Sequence, residues 1–161
     1  MKEKSPLSVG KRAPDFTLPR SAFQRLSLSD LSGPVVLVFY PGDWDPVSTD
    51  QLLTYEEHLP ELSRFNASLL AISTDSVWSH VAYGRALNLG FPLLSDSRPK
   101  AAVSRAYGVY DEDVDRTRRA LFVADESRTI RWSRVWPDNL NPGIAGILKI
   151  LSDLGGSRDP P

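Results

Sequence analysis

The sequence predicts an α/β fold, with a mixed central sheet and helices on both of its faces. Three observations lead there. Val35-Val36-Leu37-Val38-Phe39-Tyr40 is an unbroken apolar run, and a strand without polar alternation is one covered on both faces. Further apolar runs alternate with stretches whose apolar residues recur at helical spacing. A hairpin-like pair of runs and a last helical stretch close the chain, which makes the sheet mixed. With 161 residues against about 100–200 per domain, one domain over residues 1–161 is expected, with 1–8 and 155–161 as flexible tails.

Residues 13–18 alternate apolar and polar positions, as a short half-exposed strand would. Residues 25–31 suggest a second strand running into a turn at Ser32-Gly33-Pro34. The central run ends at Pro41-Gly42. From Pro46 to Phe65 a helix is predicted, carried by Leu52, Tyr55, Leu59, Leu62 and Phe65 and kinked at Pro60. Residues 68–73 form another buried strand, and a helix over 77–88 follows with Gly90 as its C-terminal cap. A short strand over 91–94 precedes a short helix over 99–107. Residues 120–124 and 129–133 pair as a hairpin around Glu126-Ser127-Arg128. Pro142 opens the last helix, which runs through Leu154, because proline suits a first helical turn.

Composition excludes several classes of function. A net charge of -1 gives no bulk attraction to nucleic acid or anionic membrane. No apolar run approaches the roughly 20 residues that span a bilayer, and the charged N-terminus has no apolar leader core, so a cytoplasmic location is expected. The cysteine count is zero, which removes disulfides, thiolate metal sites and thiol catalysis. One methionine and two histidines are a poor inventory for soft metals, and neither a metal nor a cofactor is expected. His58 and His80 fall on different predicted helices without ligand-spaced neighbours and are read as surface or satisfied core residues. Asp111-Glu112-Asp113 with Asp115 lacks the glycine turn of a calcium loop and is read as exposed.

In open α/β sheets, chemistry sits beyond the carboxyl ends of the strands. Here that place is the loop from Pro41 to Thr49, between the central strand and the first long helix. Ser48 falls in the first turn of that helix, where free N–H groups and the helix dipole favour an anion. At these residues the chain resembles the peroxiredoxin family, whose active-site pattern is Pro-x-x-x-Thr-x-x-Cys. Pro41 matches the proline, Asp45 stands at the threonine, and Ser48 stands at the peroxide-reactive cysteine. The segment from Val9 to Leu18, the strand 70–73 with Asp75, and Phe91-Pro92-Leu93-Leu94-Ser95-Asp96 resemble family segments in the same order. Arg119-Ala120-Leu121-Phe122-Val123 resembles the strand carrying the family's active-site arginine, which puts that role on Arg119. Ser79 stands where some members place a resolving cysteine.

The resemblance implies a thioredoxin-like fold and a thiol peroxidase acting on hydrogen peroxide or alkyl hydroperoxides. It also implies a thioredoxin-like reductant for the thiol form, and a homodimer with Trp44, Trp78 and Tyr83 as apolar anchors. In the family the thiolate attacks the peroxide and becomes a sulfenic acid, which a second thiol resolves. Ser48 breaks that sequence, because a hydroxyl stays protonated where a thiol ionises. The chain as written is therefore expected to have no turnover. Serine at both positions fits a deliberate Cys→Ser pair or natural degeneration. Asp45 is the awkward residue, because an ionised carboxylate accepts but cannot donate and would raise a neighbouring thiol's pKa. It either pairs with Arg119 or another cation, or points outward. A redox-silent binding module is the alternative function. A serine hydrolase is the third, disfavoured by the missing glycines of a nucleophile elbow.

Overall fold

The computed structural model describes residues 5–155. Its elements are strands β1 (Thr17–Pro19), β2 (Arg25–Ser27) and β3 (Val35–Phe39), then helices α1 (Pro46–Glu57) and α2 (Leu59–Arg64). Strand β4 (Ser68–Ser73), helix α3 (Val77–Leu87), strand β5 (Leu93–Ser95) and helix α4 (Ala102–Ala106) follow. The chain closes with β6 (Tyr110–Asp111), β7 (Arg116–Thr117), β8 (Arg119–Ala124), β9 (Ile130–Trp136) and α5 (Ala145–Gly155).

The main sheet has the order β5-β4-β3-β8-β9. Strands β3, β4 and β5 run parallel, while β8 is antiparallel to β3 and β9 antiparallel to β8. The unbroken apolar run explains the central position of β3. Val35, Leu37 and Phe39 face one core layer, with Tyr107 and Phe122, and Val36, Val38 and Tyr40 face the other, with Leu52, Tyr55, Tyr83, Ile147 and Leu151. All six β3-run side chains are fully buried. At about 1.5–3 kcal/mol for each large apolar side chain, a polar residue anywhere in that run would be costly. Helices α1, α2, α3 and α5 cover the second face, and α4 with the N-terminal segment covers the first.

Several expectations about element boundaries are corrected. The helix predicted over 46–65 is two helices broken at His58, ahead of Pro60, which sits in the first turn of α2, where its missing N–H costs nothing. The cap of α3 is Asn88, in the left-handed conformation at φ 53°, and not Gly90. The second predicted strand is cut to Arg25–Ser27, because Leu28–Asp30 turn into a 3-10 helix with Ser27 and Asp30 as a capping box. Pro142 does not open the last helix, which starts at Ala145 after Gly143 in a left-handed turn at φ 71°. Strand β9 runs three residues further than expected, to Trp136. Within the expected N-terminal tail, Leu7 donates its N–H to the Tyr107 carbonyl at 3.0 Å and packs against the core. Residues 1–4 and 156–161 of the expected tails lie outside the described residues.

Two consequences place the site. The parallel strands β3 and β4 both end at one edge of the sheet and send their loops into α1 and α3. Strand β8, antiparallel to β3, begins at that same edge, with Ala120 opposite Phe39. Its first residue, Arg119, is therefore delivered beside the α1 start.

Candidate functional site

Asp45 is the N-cap of α1, with Pro46 in the first turn. Its Oδ2 accepts both the Ser48 N–H and the Ser48 hydroxyl, each at 2.8 Å. Ser48 is fully buried. Arg119 is fully buried as well, although Arg116 beside it is exposed. The pleat of β8 turns position 119 inward, so the local charge run says nothing about this residue.

The guanidinium is saturated. Nη1 donates to Ser48 Oγ at 3.1 Å and to Gln51 Oε1 at 2.7 Å. Nη2 donates to Asp45 Oδ2 at 3.1 Å and to the Asp138 carbonyl at 2.7 Å, which also accepts from Nε at 3.2 Å. Those contacts use every N–H that an arginine has. Gln51 is oriented in turn by donating to the Tyr55 hydroxyl at 2.9 Å. Burial pulls the Asp45 carboxyl upward, but hydrogen bonds from Ser48 and the Arg119 charge outweigh it, leaving the pKa below its ordinary 3.8. Of the two orientations open to Asp45, the structure has the one paired with Arg119.

Ser79 belongs to a second network. Its hydroxyl donates to Asp43 Oδ2 at 2.8 Å, while its N–H donates to Ser76 Oγ, the N-cap of α3, at 3.2 Å. Asp43 also accepts from the Tyr40 hydroxyl at 2.7 Å and faces His80 Nδ1 at 2.8 Å. The Asp43 N–H donates to Asp75 Oδ2 at 2.8 Å. Ser48 and Ser79 thus hang on different carboxylates two residues apart in the loop. Trp44 lies between those carboxylates with a left-handed backbone at φ 67°, a conformation that is uncommon for a bulky residue. Pro41, half-buried, begins the loop directly after the central run.

His80 is a core residue with partners on both ring nitrogens, as one of the two states expected for it, and sequence spacing hid its carboxylate partner because Asp43 lies 37 positions away. The structure corrects one further reading. Tyr83 is fully buried under Trp44, at 4.9 Å between rings, with its hydroxyl 2.7 Å from Thr49 Oγ1, so it offers no exposed anchor. Trp44 and Trp78 are exposed. Neither histidine serves Ser48: His80 pairs with Asp43, and His58 faces the Thr54 carbonyl at 2.8 Å. A Ser–His relay is therefore absent among the described residues. Gln51 and the Asp138 carbonyl were not foreseen. Gln51 sits three residues after Ser48 on the same helical face, a readable signal, but a backbone carbonyl leaves no trace in sequence.

The AhpC/TSA family profile matches residues 9–133. Alkyl hydroperoxide reductase E of Mycobacterium tuberculosis is 36% identical over 147 residues, covering 83% of this chain and 96% of that one. A peroxiredoxin of Thermoplasma volcanium is 31% identical over 156 residues, 92% of this chain and 75% of its own. Among solved structures, the reduced 2-Cys peroxiredoxin of Plasmodium vivax superposes with a TM-score of 0.84 at 26% identity, covering 92% of this chain and 82% of that one. The peroxidoxin BcpB of M. tuberculosis gives 0.81 at 27%, covering 91% and 97%. The fold is thus the thioredoxin-like peroxiredoxin fold. With the helix-tip loop, the strand-borne arginine and these likenesses in agreement, the chain belongs to the AhpC/TSA family, the peroxiredoxins, as a member without the thiol on which that family's peroxidase chemistry runs.

Proposed function

We propose that the chain is a redox-silent peroxiredoxin whose peroxide pocket is assembled around Ser48 and Arg119, with a hydroxyl in place of the sulfur and Asp45 in place of the threonine. The observation that carries this reading is the 3.1 Å hydrogen bond from buried Arg119 Nη1 to Ser48 Oγ. A thiolate at that position would receive the guanidinium and the α1 tip, the two features that lower a thiol's pKa. Its attack on a peroxide would form an S–O bond, break the O–O bond and release alkoxide, which takes up a proton. The Ser48 hydroxyl instead gives its hydrogen to Asp45, and it stays an alcohol. Pro41 shapes the loop, Asp45 takes the threonine's place as an acceptor, and Ser79 holds the resolving position in this reading.

Peroxide as the ligand of the thiol form, a thioredoxin-like reductant, a homodimer and a cytoplasmic site of action all rest on the family likeness. None of the described helices is long and apolar enough to cross a membrane. A second reading, an interaction module, draws support from Trp44 and Trp78, which stand 56% and 73% exposed on neighbouring loop and helix.

The test is peroxide consumption by the chain as written and by Ser48→Cys. The chain as written is expected to match a heat-killed control, and Ser48→Cys to form a sulfenic acid that a dimedone-type probe traps. A folded Ser48→Cys protein that peroxide leaves unlabelled would refute the assembled pocket.

A further inference from the structure

A second centre lies one helix away from Ser48, at the same edge of the sheet. Asp43 from the β3–α1 loop, Asp75 from the β4–α3 loop and His80 from α3 bring one nitrogen and two carboxylate oxygens within 4.8 Å of one another. The His80 and Asp43 side chains are 1% and 0% exposed. His80 Nε2 lies 3.1 Å from the Leu94 carbonyl, an oxygen that only accepts, so Nε2 carries hydrogen. The ring's other nitrogen, Nδ1, faces the Asp43 oxygens at 2.8 and 3.0 Å, which also only accept. The Tyr40 hydroxyl is 3.4 Å from Nδ1 and donates to Asp43 at 2.7 Å instead. The side of the imidazole that carries Nδ1 thus faces carboxylate oxygens, and what the two share is a proton or a cation.

Charge points the same way. Among the described residues no lysine or arginine pairs with Asp43 or Asp75, and His80 is the one ion-pair partner of Asp43. Each of the three groups is also oriented from behind. His80 is held by the Leu94 carbonyl, Asp43 by the Tyr40 and Ser79 hydroxyls, and Asp75 by the Ser73 hydroxyl at 2.5 Å. Hydrogen-bonded carboxylates and a histidine whose far N–H meets a backbone carbonyl are the outer-shell arrangement of protein metal sites.

We infer that Asp43, Asp75 and His80 form a binding site for a divalent transition cation of the zinc and cobalt type. One imidazole nitrogen and two carboxylate oxygens suit a borderline cation, with solvent or the half-buried Ser79 hydroxyl completing the coordination. The site is distinct from Ser48 and needs no thiol. A bound cation would tie the α1 and α3 loops together.

Chelator-treated full-length protein titrated with zinc chloride at neutral pH should take up one equivalent with a Kd in or below the micromolar range, about -8 kcal/mol or better. Cobalt chloride should give visible d–d absorption. Asp75→Asn, at a half-buried position, and His80→Gln should each weaken binding at least about tenfold, a loss of roughly 1.4 kcal/mol. His58→Gln, which alters the exposed His58–Glu61 pair, should leave binding unchanged. Circular dichroism identifies any variant that fails to fold, and Asp75→Asn then decides. No uptake by the unsubstituted chain, or uptake that both site variants keep, would overturn the inference and leave a proton as the occupant between His80 and Asp43.

Discussion

Asp45 and Asp43 sit two residues apart, each holding a serine hydroxyl, yet they are built on different cations. Asp45 is matched by Arg119, whose guanidinium keeps its charge at any working pH and places all of its N–H groups. Asp43 is matched by His80, whose charge depends on a proton. The first centre is closed electrostatically by the chain alone, and the second is closed only when a further cation or proton is present. One loop therefore supports a fixed anion–cation pair on one side and an exchangeable one on the other.

The largest expected effect is at the fixed pair. Arg119→Met should cost about 3–5 kcal/mol, because it takes the guanidinium from Ser48, Gln51 and the Asp138 carbonyl and the counter-charge from Asp45. Asp43→Ala should cost about 2–3 kcal/mol, since it strips a partner from His80, Tyr40 and Ser79 at once. Urea denaturation reads both, and the reverse order would break the comparison. Asp45→Ala should cost about 1 kcal/mol, the usual value of a helix N-cap, because Arg119 keeps Ser48, Gln51 and the Asp138 carbonyl.

The smallest effect is one of pH. The Asp45 pKa is lowered on folding, so its contribution is complete above the unfolded value, about 3.9, and is lost as pH falls through the folded value. The stability gap between the unsubstituted chain and Asp45→Asn should therefore be constant above about pH 5 and close below about pH 4. Asp125 follows the same sign. Although burial opposes it, hydrogen bonds from Arg131, Ser127 and Thr129 bring its carboxyl to about 2. Melting curves over that range check both, and a gap that widens on acidification would contradict the pairing of Asp45.

Legibility in the sequence followed the range of the forces involved. The strands β3, β4 and β8 could be read because burial on both faces demands an uninterrupted apolar run. Ser48, Arg119 and Asp45 could be named from motif order, and their mutual contact follows once β8 runs antiparallel to β3. The Asp43–His80 pair could not be read, since 37 residues separate partners that only the packing of α3 brings together. The short β6–β7 hairpin was also hidden. Its turn is held by Asp111 accepting the Asp113 and Val114 N–H groups, inside what looks like a solvated acidic run. The Asp138 carbonyl had no signal at all, because a main-chain acceptor is the same for every residue type.

The most direct test of the assembled pocket is the ionisation of a thiol at position 48, followed by thiolate ultraviolet absorbance in Ser48→Cys, with and without Arg119→Met and Asp45→Asn. If side chain 48 shares the helix tip with the guanidinium, the thiol titrates higher when Arg119 is removed and lower when the Asp45 charge is removed. A thiol that titrates identically in all three folded proteins would mean that residues 48, 45 and 119 do not form one electrostatic centre.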